Sequence, residues 1–220
     1  MWRKRILFIC LIIVGFVVET TGQDLRFDHF DISNKLSQNN IRHLCIDDLG
    51  YVWVGDLDGL SRFDGYDVVR LNNHSTKSGQ LRGDVIYSLA KGVNGDVWAL
   101  TNKGLNRYNS DVNDFNSYPS SFFNSISLSE TSLVGQTSET NLWLVNNNIL
   151  LNFNLSSGEL NQISLNSNIE SVLSLADNKI LVSSSKAVKI ASIDSGKITL
   201  VDFYDQPIIR FTRSNYGSII

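Results

Sequence analysis

The stretch Asp47-Asp48-Leu49-Gly50-Tyr51-Val52-Trp53-Val54-Gly55-Asp56-Leu57-Asp58-Gly59-Leu60-Ser61-Arg62-Phe63-Asp64-Gly65 decides how this chain is read. Its apolar runs are short, and each is closed by Asp or Gly. Asp47 to Gly50 reads as a turn, Tyr51–Gly55 as a strand, Asp56-Leu57-Asp58 as a second turn, and Gly59–Phe63 as a second strand. Asp64-Gly65 then leads into Tyr66–Leu71, and an Asp-Gly pair between two such runs marks a hairpin. Upstream, Ile41–Ile46 supplies one more strand. Four short strands joined by tight turns make one antiparallel sheet.

The pattern returns. Trp53, Trp98 and Trp143 are each 45 residues apart, and the same offset relates Leu36, Leu81 and Ile126. It also relates Leu44, Leu89 and Val134, and Phe63, Tyr108 and Phe153. Between the first two copies it joins Gly50 to Gly95, Gly59 to Gly104, Leu60 to Leu105 and Arg62 to Arg107. The third copy keeps Trp143 and Phe153 and has Thr140 in place of the first turn glycine. A fourth places Ile180-Leu181-Val182 where the first has Val52-Trp53-Val54, and a fifth begins near Ile208. Four-strand units repeating every 40–45 residues predict an all-β propeller. Its blades run approximately over 36–80, 81–125, 126–168 and 169–206, with a partial blade at 207–220. Each Trp is expected on a second strand, packed between neighbouring blades. Arg62 and Arg107 are expected to pair with a turn Asp.

Composition agrees. The 220 residues are 42% hydrophobic and 19% charged, with fifteen Gly and two Pro, which excludes wholesale disorder and suits a turn-rich fold. The formal charge is -3 and no basic block follows residue 5, so no nucleic-acid surface is indicated. Two cysteines, Cys10 and Cys45, exclude a disulfide scaffold and a cysteine-based zinc site. Residues 1–22 read as a signal peptide: Arg3-Lys4-Arg5, the apolar run Ile6–Val18, then small and polar residues with cleavage expected near Gly22. The apolar run is short for a permanent membrane anchor. An exported chain is therefore expected.

Leu36-Ser37-Gln38-Asn39-Asn40-Ile41, the quoted Asp47–Gly65 stretch, Asn94-Gly95-Asp96-Val97-Trp98 and Gly104-Leu105-Asn106-Arg107-Tyr108 together resemble the two-component-regulator propeller repeat. The resemblance is to the periplasmic sensor region of Bacteroidetes-type hybrid two-component sensor histidine kinases. Phe27-Asp28-His29-Phe30 directly after the leader is similar to how such proteins begin. The resemblance implies two propellers of about seven blades, an immunoglobulin-like domain, a membrane helix and a cytoplasmic kinase. It implies a mono- or oligosaccharide or other small-molecule ligand, control of transcription, a homodimer and an inner-membrane location. It also implies further blades and downstream domains as partners. No kinase His box or nucleotide-binding glycine motif lies in these residues, so the segment reads as a non-catalytic, N-terminal piece of a sensor. Leu25–Asp31 is expected to supply the outer strand of the last blade.

Three other outcomes compete: a stand-alone secreted carbohydrate- or protein-binding propeller, a propeller enzyme, or a sensor coupled to a diguanylate cyclase or membrane-tethered transcription factor. His29, His43 and His74 lie at no metal-ligand spacing, and His43 falls on an innermost strand. Asp56-Leu57-Asp58-Gly59 begins like a calcium loop but lacks its later glycine and glutamate. No metal, cofactor or catalytic residue is assigned, and Asp47-Asp48 is expected to be a solvated turn. Propeller geometry puts candidate ligand-binding residues on one rim: Asn40, Arg42, Asp56, Asp58, Asn102 and Lys103, with Asp84 beside them. The loop before the third blade adds Tyr118, Phe122 and Phe123. Sugars are held by hydrogen-bonding groups beside aromatic faces.

Overall fold

The computed structural model describes residues 40–71, 79–123, 126–175, 178–194 and 196–205. The leader, the 25–31 segment, His29, His74 and the start of a fifth blade lie outside these. Among the described residues, sixteen strands form four sheets of four. Blade 1 holds β1 (His43–Ile46), β2 (Val52–Gly55), β3 (Leu60–Phe63) and β4 (Val68–Leu71). Blade 2 holds β5 (Ile86–Lys91), β6 (Val97–Thr101), β7 (Gly104–Asn109) and β8 (Asp114–Pro119). Blade 3 holds β9 (Thr131–Gln136), β10 (Asn141–Asn146), β11 (Ile149–Asn154) and β12 (Leu160–Ser164). Blade 4 holds β13 (Ile169–Ser174), β14 (Lys179–Ser184), β15 (Val188–Asp194) and β16 (Lys197–Tyr204). Each sheet is an antiparallel meander in chain order. The first strands line up side by side, β1 against β5, β5 against β9 and β9 against β13, so the blades follow one another as a propeller's do. No helix among the described residues is long and apolar enough to cross a membrane.

Alternation along the second strand explains why blades must stack. Its side chains point to opposite faces, and both faces are apolar. Trp53 faces forward into a seam with Leu81, Ile86, Val97 and Ala99 of the second repeat. Trp98 does the same against Leu133, Leu142 and Leu144 of blade 3. Trp143 does so against Ile180, Val182 and Ala191 of blade 4. All three indoles are fully buried. In blade 4 the position passes to Leu181, which clusters with Val188 on the face opposite Ile180 and Val182. Burying a Trp removes about 200 Å² from water, worth up to about 5 kcal/mol.

Each indole N–H also finds an acceptor, and the three solutions differ. In blade 1 Trp53 Nε1 donates to Asp47 Oδ2 at 2.8 Å. Six residues before Trp98 stands Gly92, which has no side chain to accept. Gln136 of blade 3 reaches across the seam instead, its Oε1 accepting from Trp98 Nε1 at 2.8 Å and from Val93 N at 3.3 Å. A Cβ at Gly92 would stand 3.0 Å from both Gln136 Oε1 and Trp98 Nε1, so the missing side chain is what admits the glutamine. In blade 3 Trp143 Nε1 donates to Thr137 Oγ1 at 3.1 Å.

Two substitutions gauge this packing. Trp98→Ala in the intact protein is expected to lower unfolding free energy by about 3–5 kcal/mol. Tyr66→Ala, at a hairpin tip 97% exposed, is expected to change it by less than about 0.5 kcal/mol. Denaturant unfolding followed by tryptophan fluorescence and circular dichroism compares them. Equal effects would contradict the seam arrangement.

Candidate functional site

The strand ends gather the predicted residues on one rim. The β2–β3 turn carries Asp56 and Asp58, the approach to β1 carries Asn40 and Arg42, and the β6–β7 turn carries Asn102 and Lys103. Backbone bonds tie them together: Arg42 N donates to the Gly55 carbonyl at 3.1 Å, Ile86 N to the Asp56 carbonyl at 2.9 Å, and Asn102 N to the Val85 carbonyl at 3.1 Å. Asp84 N donates to Asn102 Oδ1 at 3.2 Å. Asn40, Arg42, Asp58, Asp84, Asn102 and Lys103 are exposed. Asp58 is engaged with Arg70 at 3.1 Å.

Asp56 differs from its rim neighbours. It is 1% exposed, and its Oδ1 accepts from Asp58 N at 2.7 Å, which holds the turn. Thr101 and Asn146, at 45-residue offsets, show the purpose of the position. Thr101 Oγ1 donates to the Arg82 carbonyl at 2.7 Å, and Asn146 Nδ2 to the Ser127 carbonyl at 3.0 Å. A polar side chain at the end of the second strand pins the segment that leads into the blade. Asp56 thus caps its turn through Oδ1, while its buried Oδ2 has no hydrogen-bond partner among the described residues.

Two of the three aromatic candidates are absorbed by packing. Phe123 is fully buried and stacks on Phe153, with ring centres 6.0 Å apart. Tyr118 is half-buried and meets Phe153 edge-on at 5.1 Å. Phe122 remains 39% exposed and is the aromatic surface the loop offers to solvent.

On the opposite rim Asp47 is buried rather than solvated. Its Oδ1 accepts from Leu49 N and Tyr51 N at 3.0 and 2.9 Å, while Oδ2 holds Trp53. Asp48 does face solvent, and an ion pair with Lys91 holds its carboxyl below the usual carboxylate range. Arg107 pairs with buried Asp96 through Nε at 2.6 Å, as expected of a turn Asp. Arg62 does not follow it. Its guanidinium donates to Tyr108 Oη of blade 2 at 2.8 Å and lies 4.8 Å from the Tyr51 ring centre and 5.7 Å from that of Trp53. The sequence held a signal for this: Tyr51 replaces the acid that Asp96 supplies one repeat later.

On β1, burial and then the Arg42 charge pull the half-buried His43 imidazole below its ordinary value. Burial, reinforced by Asp47, pushes the Cys45 thiol up to about 11, so it stays a neutral thiol at physiological pH.

Residues 35–58 match the sequence model of a family described as the two component regulator propeller. Solved structures share the fold. The extracellular domain of BT3049, assigned as a hybrid two-component system of B. thetaiotaomicron, superposes with a TM-score of 0.60 at 18% identity, over 87% of this chain and 28% of its own. That of BT4673 from the same organism gives 0.53 at 16% identity, over 82% and 25%. PorZ, an essential surface component of the type-IX secretion system of Porphyromonas gingivalis, gives 0.52 at 12%, over 82% and 30%. The chain therefore spans less than a third of the length of these structures. None of the curated proteins compared matches the chain.

Two measurements test these environments. Arg62→Lys keeps the charge but loses the planar stack and the reach to Tyr108, and is expected to cost about 1–2 kcal/mol by denaturant unfolding. Because the folded-state value of His43 is depressed, the unfolded chain takes up the proton first. The stability His43 contributes is full above about pH 6.5 and is lost as pH falls below it. An NMR titration of His43 with a midpoint at or above 6.5 would contradict this.

Proposed function

We propose that this chain is the ligand-sensing propeller of an exported receptor, the N-terminal part of a hybrid two-component sensor that responds to an oligosaccharide. The observation that carries the reading is the match of residues 35–58 to the two component regulator propeller family on a consecutive run of four-stranded blades. The fold shared with extracellular domains assigned to hybrid two-component systems supports it. The leader read at residues 1–22 would place the propeller in the periplasm, with the remainder of the receptor in the inner membrane.

The rim chemistry is consistent with a sugar ligand. Arg42 and Lys103 supply cations that project from adjacent blades, Asn40 and Asn102 supply amides, and Asp84 supplies an acceptor. A saccharide lying across two blades would bond to turns whose backbones the seam already fixes, so little ordering accompanies binding. The ligand would then favour one arrangement of a receptor dimer, and the difference would pass through the membrane to the kinase and on to transcription. The segment itself binds rather than catalyses.

A second reading draws on PorZ, an essential bacterial surface component of the type-IX secretion system, with which this chain shares its fold. In that reading the chain is a stand-alone binding propeller with no transmitter.

The deciding experiment is a glycan array followed by calorimetry on the whole extracytoplasmic region encoded by the native reading frame. Saturable binding of a defined oligosaccharide is expected, weakened about tenfold or more in Arg42→Ala or Lys103→Ala, as the loss of one charged hydrogen bond implies. Binding unaffected by both substitutions moves the site off this rim. A frame without a membrane helix and kinase sinks the sensor reading in favour of the second.

A further inference from the structure

Each Trp-bearing second strand has a cross-strand partner on the third strand, and the three partners stand at 45-residue offsets: Arg62, Arg107 and Asn152. In the first two seams a guanidinium fills the space beside the indole, 5.7 Å from the Trp53 ring and 5.8 Å from the Trp98 ring. It is bonded in each case, to Tyr108 across the seam or to Asp96 within the blade.

In the third seam the arginine has become Asn152, and the Asp96 position has become Asn141. Asn152 shares a sheet face with Trp143 and Leu150, and blade 4 opposes that face with Ile180, Val182 and Ala191. None of those apolar side chains can hydrogen bond. Asn152 is fully buried in this seam, with a solvent exposure of 0%, and neither Oδ1 nor Nδ2 has a partner. Asn141 is 8% exposed; its Nδ2 donates to Ser138 Oγ at 3.1 Å, while its Oδ1 has no partner. Two acceptors and one amide donor thus lie buried and unpaired on the face of blade 3 where blades 1 and 2 seat a guanidinium. Buried amides without partners are rare in folded proteins, and an internal water is the usual reason.

We propose that the seam between blades 3 and 4 binds a small neutral molecule able both to donate and to accept, and that this molecule is water bound to Asn152 and Asn141. Water meets the mixed donor and acceptor set, whereas a cation would leave the Asn152 Nδ2 donor opposed by like charge. Asn152 is shut off from bulk solvent, so the guest has to be small. The proposal is independent of the rim and of any signalling role.

A crystal structure of the intact protein, at a resolution that shows ordered solvent, tests it directly. Solvent density within about 2.7–3.2 Å of the Asn152 amide is the expected result. Asn152 bonded directly to Asn141 or to blade 4 overturns the proposal. The variant Asn152→Leu adds a solution test. If water bridges the amides, Leu removes those bonds and lowers Tm by about 2–6 °C. If the amides are dry, Leu relieves an unpaired buried group, and a raised Tm overturns the proposal. Should the variant fail to fold, the crystallographic result alone decides.

Discussion

The fold depends on one constraint: no blade can bury its own two faces. A four-stranded sheet of this size has apolar side chains on both sides, and only a neighbouring sheet can cover each. The tryptophan of the second strand is the largest part of that cover. Its ring fills the middle of the seam, and its N–H must still be paired in a dry place. That second requirement explains why the same residue is served by Asp47, by Gln136 across a seam, and by Thr137 in turn. The apolar part of the repeat is kept because volume is hard to replace. The polar part varies because any acceptor within reach will do.

The same logic separates what could be read in the sequence from what could not. Four-stranded blades were legible because turn residues and alternating apolar residues both recur every 45 positions. Trp53, Trp98 and Trp143 could be assigned to seams because a large indole recurring on a second strand has nowhere else to go. The roles of Asp47 and Asp56 were not legible. Both look like surface turn acids, and both are buried because backbone N–H groups and, for Asp47, an indole need an acceptor there. Nor could Arg62 be told from Arg107 by its own identity. What distinguishes them is the residue at the start of the second strand, Tyr51 in one blade and Asp96 in the next. A periodic reading that compares neighbours as well as equivalents would have found it.

The rim was legible as a location and only partly as a list of contacts. Topology alone puts Asn40, Arg42, Asp58, Asp84, Asn102 and Lys103 together, because turns between second and third strands and the segments entering each blade lie at the same end. Which of them remain free for a ligand depends on side-chain partners that a sequence does not display. Asp58 turns to Arg70, Asp56 turns inward, and Phe123 leaves the surface for the seam with blade 3. The aromatic that stays outside, Phe122, does so because Tyr118 and Phe153 already meet edge-on beneath it.

The two outer blades of the described run show how far the seam rule reaches. Leu44 and Ile46 on β1 are 63% and 61% exposed, whereas Leu89, at the position of Leu44 in blade 2, packs into the first seam. At the other end Val201 and Phe203 on β16 are 62% and 59% exposed. Val201 lies on the sheet face that carries Ile190, away from blade 3. These are seam residues by sequence and surface residues by position. Exposed apolar rows along sheet faces favour association. The rim inherits its rigidity from those seams. A turn such as Asp56–Gly59 is anchored by Ile86 of the next blade, and this contact between blades is what holds Arg42 and Lys103 on one surface.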